Sequence, residues 1–493
     1  MTTSRPAFDA QGRLLAPPQI DPPDLCRMSC AALRASLARG DASAVEVVSA
    51  FLDQIDAMNG VHNAIVSLRP RDALLSEAAE TDASRARGEA MGALAGLPVA
   101  FKDLQLTRGL RTTFGSPVHA DFTPTEDSLL VARVKAAGAV VIGKTNTPEF
   151  GLGSHTYNPV FGRTRNAFDP ALSAGGSSGG AAAALALRML PIADGSDFGG
   201  SLRNPAAFNN VFGFRPSLGR VPHLPSNDGF FAQISTDGPL ARSVGDLALM
   251  LSVIAGHDVR APLALDDPGY RFEDRLDGSE AETPRVAWLG DLGGHLPMEP
   301  GVLALCEAAL AAVEPAGWRV EPLTPAYDFE GLWRAFVVLR QFALIGGQGA
   351  LRRDAAAYAM VKPEMRWELE AAYALDAEAV SAAAAARSAW RDVALDLLRT
   401  YDILALPTAQ LFPFPVEWDW PKEIAGRPMD SYHRWFEVAA PGSLTGFPVV
   451  NVPAGFAADG RPMGMQLIGR PRGDLELLRI AAAYEAVAPR AGR

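Results

Sequence analysis

Gly175-Gly176-Ser177-Ser178-Gly179-Gly180 and Gly195-Ser196-Asp197-Phe198-Gly199-Gly200-Ser201, with Ser201 24 residues beyond Ser177, decide how this chain reads. Glycines in the first stretch let the backbone turn tightly against a helix amino terminus, where N–H groups gather and anions are stabilised. The second stretch leaves a strand into a glycine turn that can aim successive N–H groups at a developing oxyanion. A serine hydroxyl at its own pKa is a poor nucleophile and needs a base beside it. Upstream, Lys102 follows the apolar run Leu97-Pro98-Val99-Ala100-Phe101, which is read as a buried strand. Two serines and a lysine so placed look like a hydrolase that activates serine without histidine.

Outward from these motifs the chain has the pattern of an α/β protein. Residues 28–38 read as a helix capped by Ser29 and closed by Gly40, and Ser43-x-x-Glu46 is a capping box opening a second helix. Short apolar runs at 97–101, 139–142 and 190–193 fit buried strands, with helices over 127–137 and 180–189 between them. A charged stretch, 261–284, reads as a solvated connection, followed by a strand at 285–289. Residues 329–400 are almost entirely helix-forming, and 411–421 is an aromatic loop whose prolines bar regular structure. Late strands at 449–453 and 464–468 precede a closing helix at 474–486. The expectation is one domain over 1–493, a mixed central sheet covered by helices on both faces, with a helical layer and aromatic loop inserted at 325–440.

Composition narrows the function. The chain has 493 residues, 48% of them apolar and 20% charged, which suits a large globular enzyme. A net charge of −11 without clustered Lys and Arg argues against a nucleic-acid partner. The start, Met1-Thr2-Thr3-Ser4-Arg5-Pro6, has no apolar signal region, and no apolar run approaches the roughly 20 residues that span a bilayer, so a cytoplasmic protein without membrane anchor is expected. Cys26, Cys30 and Cys306 form no metal-ligand pattern and read as reduced thiols. The seven histidines are scattered, and the proposed chemistry needs none of them.

The serine motifs resemble those of the amidase signature family. So do residues 143–151 (GKTNTPEFG), 158–166 (NPVFGRTRN), 238–243 (GPLARS), 446–453 (GFPVVNVP) and 464–469 (GMQLIG), so the resemblance covers most of the chain. It implies the amidase signature fold, Ser201 as nucleophile, Ser177 as relay on a cis peptide, Lys102 as base, and the N–H groups of Phe198, Gly199, Gly200 and Ser201 as oxyanion hole. It implies no metal or organic cofactor. Ser196 stands where the family commonly has Thr, Phe198 where Ile or Thr is usual, and Asn204 where an apolar residue is frequent. Asp103, Asp197 and Arg203 are expected to hold loops rather than transfer protons.

Competing readings separate on the same residues. Gly175-Gly176-Ser177-Ser178-Gly179 also fits the esterase elbow G-x-S-x-G, but no apolar strand precedes it. No Gly-Lys-Ser/Thr follows the glycines, which excludes a phosphate loop. The glutaminase subunit of a tRNA-dependent amidotransferase shares the resemblance, and an inactive binding protein would not need to retain Lys102, Ser177 and Ser201. The reading adopted is an autonomous amidase of small neutral substrates. Aromatic residues without an evident cationic cluster favour aryl or apolar amides, with carbamates and esters as further classes, and Phe230, Phe231, Trp418 and Trp420 are expected to line the substrate pocket.

Overall fold

The computed structural model describes residues 22–231, 233–277 and 283–488. The amino-terminal segment read for targeting, and Glu280 in the charged connection, lie outside them. An eight-stranded sheet runs in the order Arg319–Pro322, Arg285–Trp288, Ile403–Pro407, Pro462–Ile468, Val449–Phe456, Phe212–Arg215, Thr236–Ala241, Ile192–Asp197. Its first three strands are parallel and its other pairings antiparallel, so the sheet is mixed. The strand Pro98–Lys102 pairs in parallel with Val140–Thr145 in a second, three-stranded sheet and packs beside Ile192–Asp197. Both strands are buried along almost their whole length, so the charged side chains they carry, Lys102 on one and Asp194 and Asp197 on the other, lie in the interior.

Local signals account for the elements. Ser29 caps the helix Cys30–Arg39, which ends at Gly40 in the left-handed region (φ 77°). The capping box is complete: Ser43 Oγ accepts from Glu46 N–H, and the Glu46 carboxylate accepts from Ser43 N–H at 2.8 Å. The helix-forming stretch after Phe329 resolves into four α-helices, Phe329–Gln348, Ala355–Met360, Pro363–Ala374 and Ala377–Leu397. Asp328, Asp354 and Asp376 cap three of them, and Pro363 starts the other. Phe329–Gln348 packs on Pro363–Ala374 and Ala377–Leu397 as a helical layer, which meets the rest of the fold through the helix Ala440–Thr445. The aromatic loop is irregular, as its prolines dictate, and is pinned by Ser173 N–H to Phe414 O (2.8 Å) and Val416 N–H to Ala171 O (2.9 Å). All three cysteines are buried free thiols. Among the described residues, no helix is long and apolar enough to cross a membrane.

Candidate active site

Lys102 ends its strand fully buried, and its N–H donates to Asp194 Oδ1 (3.1 Å) on the neighbouring strand. Its Nζ lies 2.7 Å from Ser177 Oγ, 2.9 Å from Ser178 Oγ and 3.0 Å from Ser196 Oγ. An ammonium would donate to all three hydroxyls, whereas a neutral amine has a lone pair to accept a proton from one. Burial pulls the Lys102 amine down to about 7, against the opposing pull of Asp194, Asp237 and Asp197. Burial also pushes the Asp194 carboxyl up to about 7. A second buried lysine, Lys144, instead binds Gln105 O and Thr107 Oγ1 and so holds a loop.

The peptide Gly176–Ser177 is cis. A strap at residues 154–156 grips it: Ser154 Oγ donates to Gly176 O at 2.7 Å, and Thr156 donates to Gly175 O through both N–H (3.0 Å) and Oγ1 (2.8 Å). Glycine is required at 180, where a Cβ would collide with the backbone at Asn146 and Ala64. The helix Gly179–Ala186 begins there, but its first N–H groups are not free for an anion. Gly179 donates to Thr156 Oγ1 (3.1 Å) and Gly180 to Asn146 O (3.2 Å). His155 donates from Nε2 to Val416 O (3.0 Å), so its Nδ1 accepts from Ser173 Oγ (2.7 Å), and burial holds it neutral at about 3. It is a satisfied core residue.

The strand Ile192–Asp197 runs directly into the Ser201 turn. Alternation along it puts Asp194 and Ser196 on the Lys102 face and Asp197 on the other. Burial would raise the Asp197 carboxyl, but Arg203 and Arg215 overcome this and hold it well below the carboxylate range. Arg203 Nε and Nη2 each lie 3.0 Å from that carboxylate, and Arg215 Nη1 lies 3.2 Å away. Asp197 also accepts from Gly200 N–H (2.8 Å) and Leu202 N–H (3.1 Å), so it shapes the turn itself. This corrects one expected oxyanion donor: the Gly200 N–H is committed to Asp197. Those of Phe198, Gly199 and Ser201 make no hydrogen bond among the described residues. Gly200, at φ 100°, supplies the backbone conformation that lets the turn close.

Ser196, Phe198 and Ser201 are partly exposed while the residues between them are mostly buried, so they face the opening of the site. The Phe198 ring packs edge-on to Phe336 (5.8 Å) and under the Arg340 guanidinium (5.5 Å), both from the helix Phe329–Gln348. Gly199 leaves room for Phe336, whose Cζ would lie 2.7 Å from a Cβ. Arg340 is buried against Glu368 (2.6 Å) and Tyr432 OH (2.9 Å). Nothing in the sequence near Phe198 announces Arg340, because it arrives from another layer.

The four expected pocket aromatics do not converge. Trp420 lines a small cavity with Ser154, Tyr157, Lys362 and Tyr432. Trp418 is 48% exposed and stacks on Phe414. Phe230 and Phe231 are 67% and 76% exposed, because Asp228 Oδ1 accepts both their N–H groups in a tight turn that presents the rings outward. Lys362, absent from the sequence reading, brings a cation to the cavity wall. His295, Glu330 and Glu437 bring possible metal-ligand atoms within 4.8 Å, but Arg434 already bridges both carboxylates, at 2.5 and 2.9 Å.

With this geometry in place, similarity to known proteins is extensive. The amidase family model matches residues 46–478. An acylamidase of Rhodococcus erythropolis is 36% identical over 94% of this chain and 96% of its own length. The A subunit of the glutamyl-tRNA(Gln) amidotransferase of Thermus thermophilus is 37% identical over 93% of this chain and 97% of its own. The crystal structure of a bacterial aryl acylamidase of the amidase signature enzymes superposes with a TM-score of 0.88 at 28% identity, covering 94% of this chain and 96% of that one.

Proposed function

The chain belongs to the amidase family, the amidase signature enzymes, and from that premise we propose that it acts alone as a hydrolase of small neutral amides bearing aryl or other apolar groups, with aryl carbamates and esters as further substrates. The observation that carries the reading is a buried amine, at about 7, placed 2.7 Å from Ser177 Oγ at the foot of the Ser201 turn. Neutral Lys102 takes a proton from Ser177 as Ser177 takes the proton of Ser201, and Ser201 Oγ attacks the carbonyl carbon. Charge developing on the carbonyl oxygen is met by the N–H groups of Phe198, Gly199 and Ser201. The C–N bond breaks as the proton returns through Ser177 to the leaving nitrogen, giving amine and acyl-Ser201. Water then attacks the ester, loses its proton along the same route, and frees the acid and Ser201.

Phe198 at the opening, the Trp420 cavity and the similarity to an aryl acylamidase support the aryl preference. A panel of aryl amides, short aliphatic amides, aryl carbamates and aryl esters tests it. Ser201→Ala must abolish turnover of every member, and aryl amides must exceed aliphatic ones in kcat/KM. Turnover surviving in Ser201→Ala overturns the mechanism, and a preference for aliphatic amides overturns the substrate class.

One observation favours a second reading, the glutaminase component of an amidotransferase: the 37% identity to the Thermus thermophilus protein. Copurification of a partner subunit, with glutamine hydrolysis only in its presence, would select that reading.

A further inference from the structure

The serines at 177 and 201 lie on separate turns, and a proton passes between them only if the turns keep their spacing. One direct link is visible, Ser178 N–H to Ser201 O at 3.3 Å. A second runs through side chains. Ser154 Oγ donates to Gly176 O, the carbonyl of the peptide joining Gly176 to Ser177, and accepts from Asn204 Nδ2 at 3.0 Å. Asn204 in turn starts three residues beyond Ser201, and its N–H donates to Gly200 O at 2.6 Å.

Resting on the catalytic reading above, we propose that Asn204 and Ser154 are positioning residues that lock the relay turn at Ser177 to the nucleophile turn at Ser201. Asn204 is fully buried and Ser154 nearly so, which removes water as an alternative partner for either side chain. Among the described residues Asn204 Oδ1 has no hydrogen-bond partner, and it lies 2.9 Å from where a Cβ on Gly200 would sit. Simple core filling would not retain a carboxamide with one unpaired oxygen, since an apolar side chain avoids the desolvation cost. The amide is retained for its other end, the donor to Ser154. The same oxygen fills the space that a Cβ at position 200 would need, so the Asn204 side chain lies beside the nucleophile turn and, through one hydroxyl, reaches the carbonyl before the relay serine.

The test is a double-mutant cycle with Ser154→Ala, Asn204→Leu and the pair, read by kcat, KM, thermal midpoint and the rate at which a p-nitrophenyl ester acylates Ser201, followed as the burst of nitrophenolate released. Loosening the serine spacing lowers kcat and the acylation rate by about ten- to a hundredfold, with KM near wild type. The double variant is expected to lose no more than the worse single one. Additive losses, or wild-type acylation in folded single variants, overturn the proposal. Should Asn204→Leu fail to fold, Ser154→Ala, which deletes one hydroxyl, decides alone by the same kcat and acylation readouts. Ser201→Ala separates the levels: if it stays active the catalytic reading has failed, and if it is dead while Ser154→Ala is wild type only this inference has.

Discussion

The floor of the site and the helical layer above it bury their charges on different terms. In the floor, Lys102 sits among three serine hydroxyls 75 to 94 residues away, carried on glycine turns and a strand, and Asp197 between two arginines and two turn N–H groups, all within 18 residues of it. In the layer, Arg340 meets Glu368 and Tyr432 across helix and loop and lies over Phe198 in the floor. On the proposed mechanism, backbone turns fix where the proton and the oxyanion go, whereas side chains reaching from another layer shape what enters. Variants in the floor should alter kcat for every substrate, and variants in the layer should discriminate between substrates.

The sharpest break would come at Ser201. Ser201→Ala is expected to cut kcat by about 10⁴-fold or more with an unchanged thermal midpoint, because one small hydroxyl leaves a turn held by backbone and Asp197. Next in size is Ser177→Ala, at about 10²- to 10⁴-fold, while Ser178→Ala and Ser196→Ala, whose hydroxyls also touch Lys102, cost less than about tenfold. Steady-state rates on one aryl amide rank the three, and a Ser178 variant as impaired as the Ser177 variant would move the relay. Asp197→Ala leaves Arg203 and Arg215 buried without their carboxylate, and a stability loss of about 3–5 kcal/mol is expected from denaturant unfolding. Unaltered stability would mean that the turn is held by other groups.

The smallest effect belongs to the upper region. Trp420→Ala should raise KM for aryl amides a few-fold, by about 1 kcal/mol of lost ring contact, and leave short aliphatic amides unchanged. Trp418→Ala, removing a half-exposed ring, should change neither. Equal losses on both substrate sets would make Trp420 structural and erase the contrast between floor and layer.

The same contrast explains what could be read in the sequence. The Ser43/Glu46 box, the Ser29 and Gly40 caps and the buried strands were legible because each is a local rule written within a few residues. The proximity of Lys102 and Ser177 was legible because their motifs are short, and the structure brings them to hydrogen-bond distance, with the Ser201 turn joined to the Ser177 turn by Ser178 N–H to Ser201 O at 3.3 Å. The Gly200 N–H was misassigned because residue type does not say which way an amide points once a buried carboxylate competes for it. Phe230 and Phe231 were expected inside on hydrophobicity alone, while the Asp228 turn that faces them outward is a matter of geometry. Arg340, Lys362 and the Ser154–Asn204 link depend on elements between roughly 50 and 200 residues apart meeting in space, and no periodicity records that.

The central claim, that Lys102 is the base acting through Ser177, is tested most directly by kcat/KM against pH for wild type and Lys102→Ala on one aryl amide. Burial favours the neutral amine, so the fraction able to accept a proton grows as pH rises through about 7. Wild-type kcat/KM should climb through that range to a plateau, and Lys102→Ala should be strongly impaired and lack the climb. A wild-type profile that falls above neutrality with the fold intact, or a Lys102→Ala profile that keeps the same rise, would contradict the assignment.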